Sequence, residues 1–155
     1  MVVSDYGMSE NKIKVLFLCT GNSCRSQIAE GWAKHLKSDI MDVYSAGIAP
    51  GTLNQMAVKI MAEAGVDISS QRPKHIDELK DINFDYVVTV CDNAREACPI
   101  FPRKTRLFHK TFEDPTFMIG TEQQIKAAFV KLRDRMKKFI EKMPEILEKE
   151  STEQK

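Results

Sequence analysis

The chain has 155 residues, 43% of them hydrophobic and 29% charged, enough for one domain to bury a core without disulfide or metal staples. Its 23 basic and 22 acidic residues leave a formal net charge of +1. That balance argues against a nucleic-acid binder acting through broad electrostatics, but not against a small anion site served by one or two positive groups. The first apolar run, Ile13 to Leu18, follows polar residues and is too short to span a membrane. The expected setting is therefore cytoplasmic, with no membrane or nucleic-acid partner. In such a reducing compartment the four cysteines, at 19, 24, 91 and 98, point to catalysis or metal binding rather than stapling.

In chain order, residues 1–12 read as a flexible leader. Lys14 to Leu18 is a compact apolar run, the pattern of a central strand covered on both faces. From Ser23 the period becomes helical, with Ile28, Ala29, Trp32, Ala33 and Leu36 on one face. Met41 to Ser45 predicts a second strand, ended by Ala46-Gly47. Thr52 and Gln55 form a capping-box pair for a helix whose apolar face is Leu53, Met56, Ala57, Ile60, Met61 and Ala64. Gly65 then stands where a left-handed residue ends a helix. Asp85 to Val90 predicts a third strand and Arg106 to Phe108 a short fourth. Thr121 with Gln124 repeats the capping box before a long amphipathic helix that ends near Pro144. Residues 144–155 read as a frayed tail. Alternating strands and helices over 13–143 predict a single α/β catalytic domain, a three-layer α/β/α arrangement on a four-stranded, mainly parallel sheet.

Between the first strand and the first helix lies Cys19-Thr20-Gly21-Asn22-Ser23-Cys24-Arg25-Ser26. Ligands bind at the carboxyl ends of strands in such sheets, and a loop entering a helix N-terminus there aims its N–H groups at a common centre. Gly21 is expected to supply the tight curvature. Arg25 can fold back as a bidentate clamp on a tetrahedral oxyanion. Cys19 at the base of the cradle, its thiolate favoured by the N–H groups, Arg25 and the Ser26 hydroxyl, is a nucleophile aimed at phosphorus or arsenic.

Cys91 follows the third strand as Cys19 follows the first, so both thiols belong at one edge of the sheet. If the intervening residues were helical, Cys98 would stand roughly 10 Å from Cys91, at ~1.5 Å per residue. A disulfide needs Cα atoms closer than about 7 Å, so a Cys91–Cys98 bond requires segment 91–98 to unwind. Two buried small hydrophobes are the plainer account of this pair. A four-thiolate zinc site fits less well, because no short Cys-x2–4-Cys spacing is present.

CTGNSCRSQ at 19–27, followed by Ala29-Glu30-Gly31-Trp32, resembles the thioredoxin-coupled arsenate reductases, which share the fold of low-molecular-weight protein tyrosine phosphatases. YSAG at 44–47, GVDIS at 65–69, VVTVC at 87–91, CP at 98–99 and FEDP at 112–115 follow in order. The resemblance implies a Cys19–arsenic adduct, attack by Cys91 on Cys19 to release arsenite, and a final Cys91–Cys98 disulfide reduced by thioredoxin. It implies oxyanion binding by Thr20, Gly21, Asn22, Ser23, Cys24, Arg25 and Ser26, with phosphate or sulfate as analogues of arsenate. It also implies that Asp114 protonates the leaving group, with Glu113 as the fallback. Asn22 is expected to hold the loop's shape, and Cys24 to be structural, at risk of accidental oxidation against Cys19.

No tightly bound cofactor or metal is expected, and the chain is expected to be monomeric. Several family members hold potassium through residues matching Asn22, Glu30 and Ser45 plus an aspartate whose position falls on Lys74. A lysine there predicts no potassium dependence. His35, His75 and His109 are scattered and read as surface or partly satisfied side chains. The alternative, a low-molecular-weight protein tyrosine phosphatase, would use Cys19, Arg25 and Asp114 but leave Cys91 and Cys98 idle. Gln27 stands where those phosphatases usually carry proline, and Thr116, not tyrosine, follows Asp114-Pro115.

Overall fold

The first strand organises everything around it. Ile13–Cys19 (β1) buries every side chain from Val15 to Cys19, so both of its faces are covered. In the computed structural model, which describes residues 12–153, β1 lies between two parallel neighbours, Met41–Gly47 (β2) and Tyr86–Thr89 (β3). Arg106–His109 (β4) adds to β3 in parallel. The register sets Cys19 beside Gly47, and Thr89 beside both Leu18 and His109. The chemistry-bearing residues thus leave the sheet at one edge.

Helices alternate with these strands: Arg25–Lys37 (α1), Gln55–Glu63 (α2), the five-residue Asp92–Glu96 (α3) and the long Glu122–Glu141 (α4). The Trp32 indole of α1 donates to the Arg133 carbonyl at 3.0 Å, and the Arg133 guanidinium donates to the Ile60 carbonyl at 2.9 Å. These two bonds tie α4 to α1 and α2 above a shared apolar core. The central, mainly parallel sheet is the one expected. No helix among the described residues is long and apolar enough to cross a membrane.

Gly65 has φ +86°, the predicted left-handed terminator of α2. Thr121 and Gln124 form the predicted reciprocal capping box. The start of α2 differs from expectation. Its cap is Asn54, whose Oδ1 accepts from the Ala57 N–H at 2.9 Å. The Thr52 carbonyl instead receives the Ser23 hydroxyl, which commits that stretch to the neighbouring loop.

The C-terminal part departs further. Residues 145–150 form a helix, Glu145–Glu150 (α5), and Thr152–Glu153 (β5) pairs antiparallel with β4, giving five strands among the described residues rather than four. The segment from 144 is therefore no frayed tail as far as residue 153. Leu147 is fully buried, Ile146 packs on the core, and Arg106 donates to the Ser151 hydroxyl at 2.8 Å and carbonyl at 2.7 Å. Two apolar residues inside a run of Glu and Lys gave too weak a period to mark this helix. The leader expected over residues 1–12 lies outside the described residues except for Lys12. If α5 anchors as described, Leu147→Ala lowers stability in urea denaturation by about 2–5 kcal/mol. A loss below about 0.5 kcal/mol, the level of a surface change, would contradict the packing.

Candidate active site

β1 ends at Cys19 and α1 begins at Arg25, so residues 19–24 form the turn at the carboxyl end of a central strand. The carbonyls of this turn are all accounted for. Those of Cys19, Thr20, Gly21 and Ser23 accept from the N–H groups of Ile48, Ala49, Gly51 and Asn54, at 3.2, 2.8, 2.9 and 3.0 Å. The Asn22 carbonyl accepts from the Gln27 amide at 2.9 Å, and that of Cys24 from the Ile28 N–H at 2.9 Å. In a planar trans peptide the next N–H points opposite to the carbonyl. Carbonyls held outward therefore turn the N–H groups of residues 20–25 inward, onto a common centre at the start of α1. The result is a cradle of backbone donors.

The curvature comes from Asn22, which has φ +48°, and not from Gly21 as expected. Asparagine tolerates the left-handed region better than most residues, and here its side chain is engaged on every side. Its Nδ2 donates to Ser26 Oγ at 2.8 Å and Ser45 Oγ at 2.9 Å, while Oδ1 accepts from the Lys74 N–H at 3.0 Å. Asn22 and Ser26 are fully buried beneath the cradle. Gly47 lets the turn settle on β2: a Cβ there would meet the Thr20 carbonyl oxygen at 2.6 Å and the Asn22 nitrogen at 3.0 Å.

Cys19 Sγ receives the Asn22 N–H at 3.2 Å and lies 2.8 Å from Ser26 Oγ. Ser26 Oγ thus accepts from the Asn22 amide and also meets the sulfur. Both contacts fix the sulfur at the base of the turn. Burial pushes the neighbouring Cys24 thiol up to about 12, with Asp114 adding to the rise. It therefore stays protonated, as suits a structural role.

A cavity of about 560 Å³ opens above the cradle and is lined by Cys19, Thr20, Gly21, Ser23, Cys24 and Arg25. Cys91, Asp114, Asp92, Asn93, Thr116 and Phe117 close its other side. The Arg25 guanidinium donates to the Phe112 carbonyl at 3.0 Å and to Asp114 Oδ2 at 3.4 Å. Asp114 Oδ1 accepts from the Thr116 N–H at 3.0 Å and hydroxyl at 2.6 Å. Arg25 thus stands at the rim, held by Asp114 and a carbonyl. Glu113, the fallback acid, is exposed and faces a neighbouring groove instead.

Cys91 caps α3, with its Sγ accepting from the Ala94 N–H at 3.4 Å and lying 3.4 Å from the Thr20 hydroxyl. Cys98 sits beyond the far end of α3 and does not line the cavity. Burial pushes its thiol up. All four cysteines are free.

A sequence model described as low molecular weight phosphotyrosine protein phosphatase matches residues 14–153. The chain belongs to the low molecular weight phosphotyrosine protein phosphatase family. Within that family it is 49% identical over 136 residues to the arsenate reductase of Bacillus subtilis (strain 168), covering 85% of this chain and 97% of that protein. A solved structure described as an arsenate reductase in the phosphate binding state aligns with TM-score 0.69 and 30% identity, over 84% of this chain and 95% of the other. A low molecular weight protein tyrosine phosphatase from T. tengcongensis aligns with TM-score 0.68 and 25% identity, over 86% and 99% of the two chains.

Several cavity residues escaped the sequence reading. Asp92, Asn93, Thr116 and Phe117 belong to no motif that spacing alone exposes; the only signal was their position beside Cys91 and Asp114. If the family cradle depends on close approach to β2, Gly47→Ala weakens phosphate binding by about tenfold or more in titration calorimetry, the effect of losing several aligned donors. Unchanged affinity would mean that the turn does not need that contact.

Proposed function

We propose that the protein is an arsenate reductase working through a thiol relay. The observation that carries the proposal is that Cys19 and Cys91 open onto the same cavity, with Arg25 and Asp114 at its rim. Arsenate is bound by the inward N–H groups and by Arg25. As the anion draws the guanidinium, Asp114 is left at the rim beside the arsenate oxygens. The Cys19 thiolate attacks arsenic, and an arsenate hydroxyl takes the proton from Asp114 and leaves as water. Cys91 then attacks Cys19 Sγ: an S–S bond forms, the S–As bond breaks, and its electron pair reduces arsenic from the +5 to the +3 state. Cys98 attacks Cys91 Sγ in turn, freeing the Cys19 thiolate and leaving a Cys91–Cys98 disulfide. Two electrons and two protons from thioredoxin restore both thiols. The reading entails a reducing, cytoplasmic setting and needs only one copy of the chain.

The residues matching the family's potassium ligands are engaged with one another and with two lysines. Lys74 Nζ donates to the Ser45 carbonyl at 3.0 Å, and its backbone N–H occupies Asn22 Oδ1. Glu30 accepts from the Ser45 hydroxyl and pairs with Lys34 at 2.5 Å. Burial pulls the Lys74 ammonium below its usual range, opposed by Glu30 nearby. We therefore propose that Lys74 and Lys34 together take the place of a cation. Potassium chloride and sodium chloride at equal ionic strength should give the same activity and melting temperature; a potassium-specific gain in either would refute this.

A phosphatase shares the first step, so slow hydrolysis of an aryl phosphate accompanies this reading. The deciding assay is arsenate-dependent NADPH oxidation with thioredoxin and its reductase. Cys91→Ser and Cys98→Ser should each abolish multiple turnover, with Cys91→Ser stalling before any internal disulfide. Full turnover in both would refute the relay, and no arsenate-dependent oxidation by the wild type would leave the phosphatase reading.

A further inference from the structure

The relay gives segment 91–98 two incompatible duties. It must hold Cys91 at the cavity while Cys19 reacts, then unwind so that Cys98 can reach Cys91. A helix as short as α3 cannot sustain itself, since isolated helices shorter than about 12 residues are marginal in water. What anchors its first turn therefore decides when it lets go.

The anchor is a side chain on the adjacent strand. His109 ends β4 in register with Thr89, the last residue of β3. Its Nδ1 lies 2.7 Å from Thr89 Oγ1, and its Nε2 lies 3.0 Å from Asp92 Oδ1 and 2.8 Å from Thr111 Oγ1. The Thr111 hydroxyl also donates to Asp92 Oδ1, at 2.8 Å. A carboxylate only accepts, so Nε2 carries a proton. One ring thus joins position 89 to position 92, bracketing Cys91. These bonds also hold the Asp92 carboxyl below its usual range. A second tether runs from the Asn93 amide to Thr20 Oγ1 at 2.8 Å, tying the same turn to the anion cradle. Both tethers grip the Cys91 end of α3.

We propose that His109 is a positioning residue for Cys91, a bridge between Thr89 and Asp92 that keeps α3 wound and delays closure of the Cys91–Cys98 disulfide. The proposal rests on the relay reading for its purpose, but the bridge itself can be tested without arsenate.

The test compares the reduced wild type with His109→Ala, His109→Gln and His109→Asn by two measurements. One is amide hydrogen exchange over residues 92–97. The other is the rate at which diamide, a two-electron thiol oxidant, closes Cys91–Cys98, with products mapped by mass spectrometry. Loss of one solvent-exposed hydrogen bond predicts about fivefold faster exchange and closure in His109→Ala. His109→Gln, whose amide N–H reaches the place of Nε2, should recover most of the wild-type behaviour. His109→Asn, which reaches only the place of Nδ1, should not. The exposed Asp92→Ala repeats the His109→Ala result without touching the sheet, should His109→Ala fold poorly. Unchanged rates in His109→Ala and Asp92→Ala, or equal rates in the Gln and Asn variants, would overturn the bridge. Absence of any arsenate-induced disulfide in the wild type would instead overturn the relay, with the bridge still judged by exchange and diamide.

Discussion

Every chemical property of this site depends on the direction in which six peptide carbonyls point. Segment 48–54 runs past the turn and takes four of them, Gln27 takes the fifth, and α1 itself takes the sixth. Peptide planarity does the rest, because carbonyls fixed outward leave the N–H groups no direction but inward. The positive potential at the cavity is therefore built from backbone, and the near-neutral net charge of the chain is no obstacle to binding a multiply charged oxyanion. The demand propagates outward from there. Gly47 has to lack a side chain, Asn22 has to accept a left-handed backbone, and Ser26 and Ser45 have to be present beneath it as partners for the buried amide.

The opposite side of the cavity follows a different principle. The cradle is buried and over-determined, whereas the first turn of α3 is exposed and held by a few side-chain bonds to Thr20, His109 and Thr111. Rigidity on one wall and weak retention on the other suit a reaction in which the nucleophile must stay put and its successor must travel. Arg25 and Asp114 span the two walls. Their contact at 3.4 Å is loose enough for an incoming anion to compete for the guanidinium.

Much of this architecture was legible because local and global signals agreed. The apolar run of β1, the capping box of α4 and the turn from Cys19 to Arg25 are places where strand, turn and helix signals coincide. Position failed where two residue types can do one job. Asn22 replaced Gly21 at the left-handed position, and Asn54 replaced Thr52 as the cap of α2. The last helix and strand were hidden because only Ile146 and Leu147 mark them, and their partner Arg106 lies far away in the sequence. The His109 ring was hidden for the same reason. Its contacts with Thr89 and Asp92 exist only once β3 and β4 are in register.

The environment of Cys24 has a consequence for fidelity. Disulfide exchange proceeds through the thiolate, and a thiol pushed up to about 12 presents very little thiolate at neutral pH. In the proposed relay, Cys24, five residues from Cys19 in the chain, is thereby a poor rival to Cys91. A Cys19 adduct awaiting attack would be passed over by its own loop and left for a sulfur from across the cavity. The turn selects against the cysteine nearer in the chain by keeping it protonated.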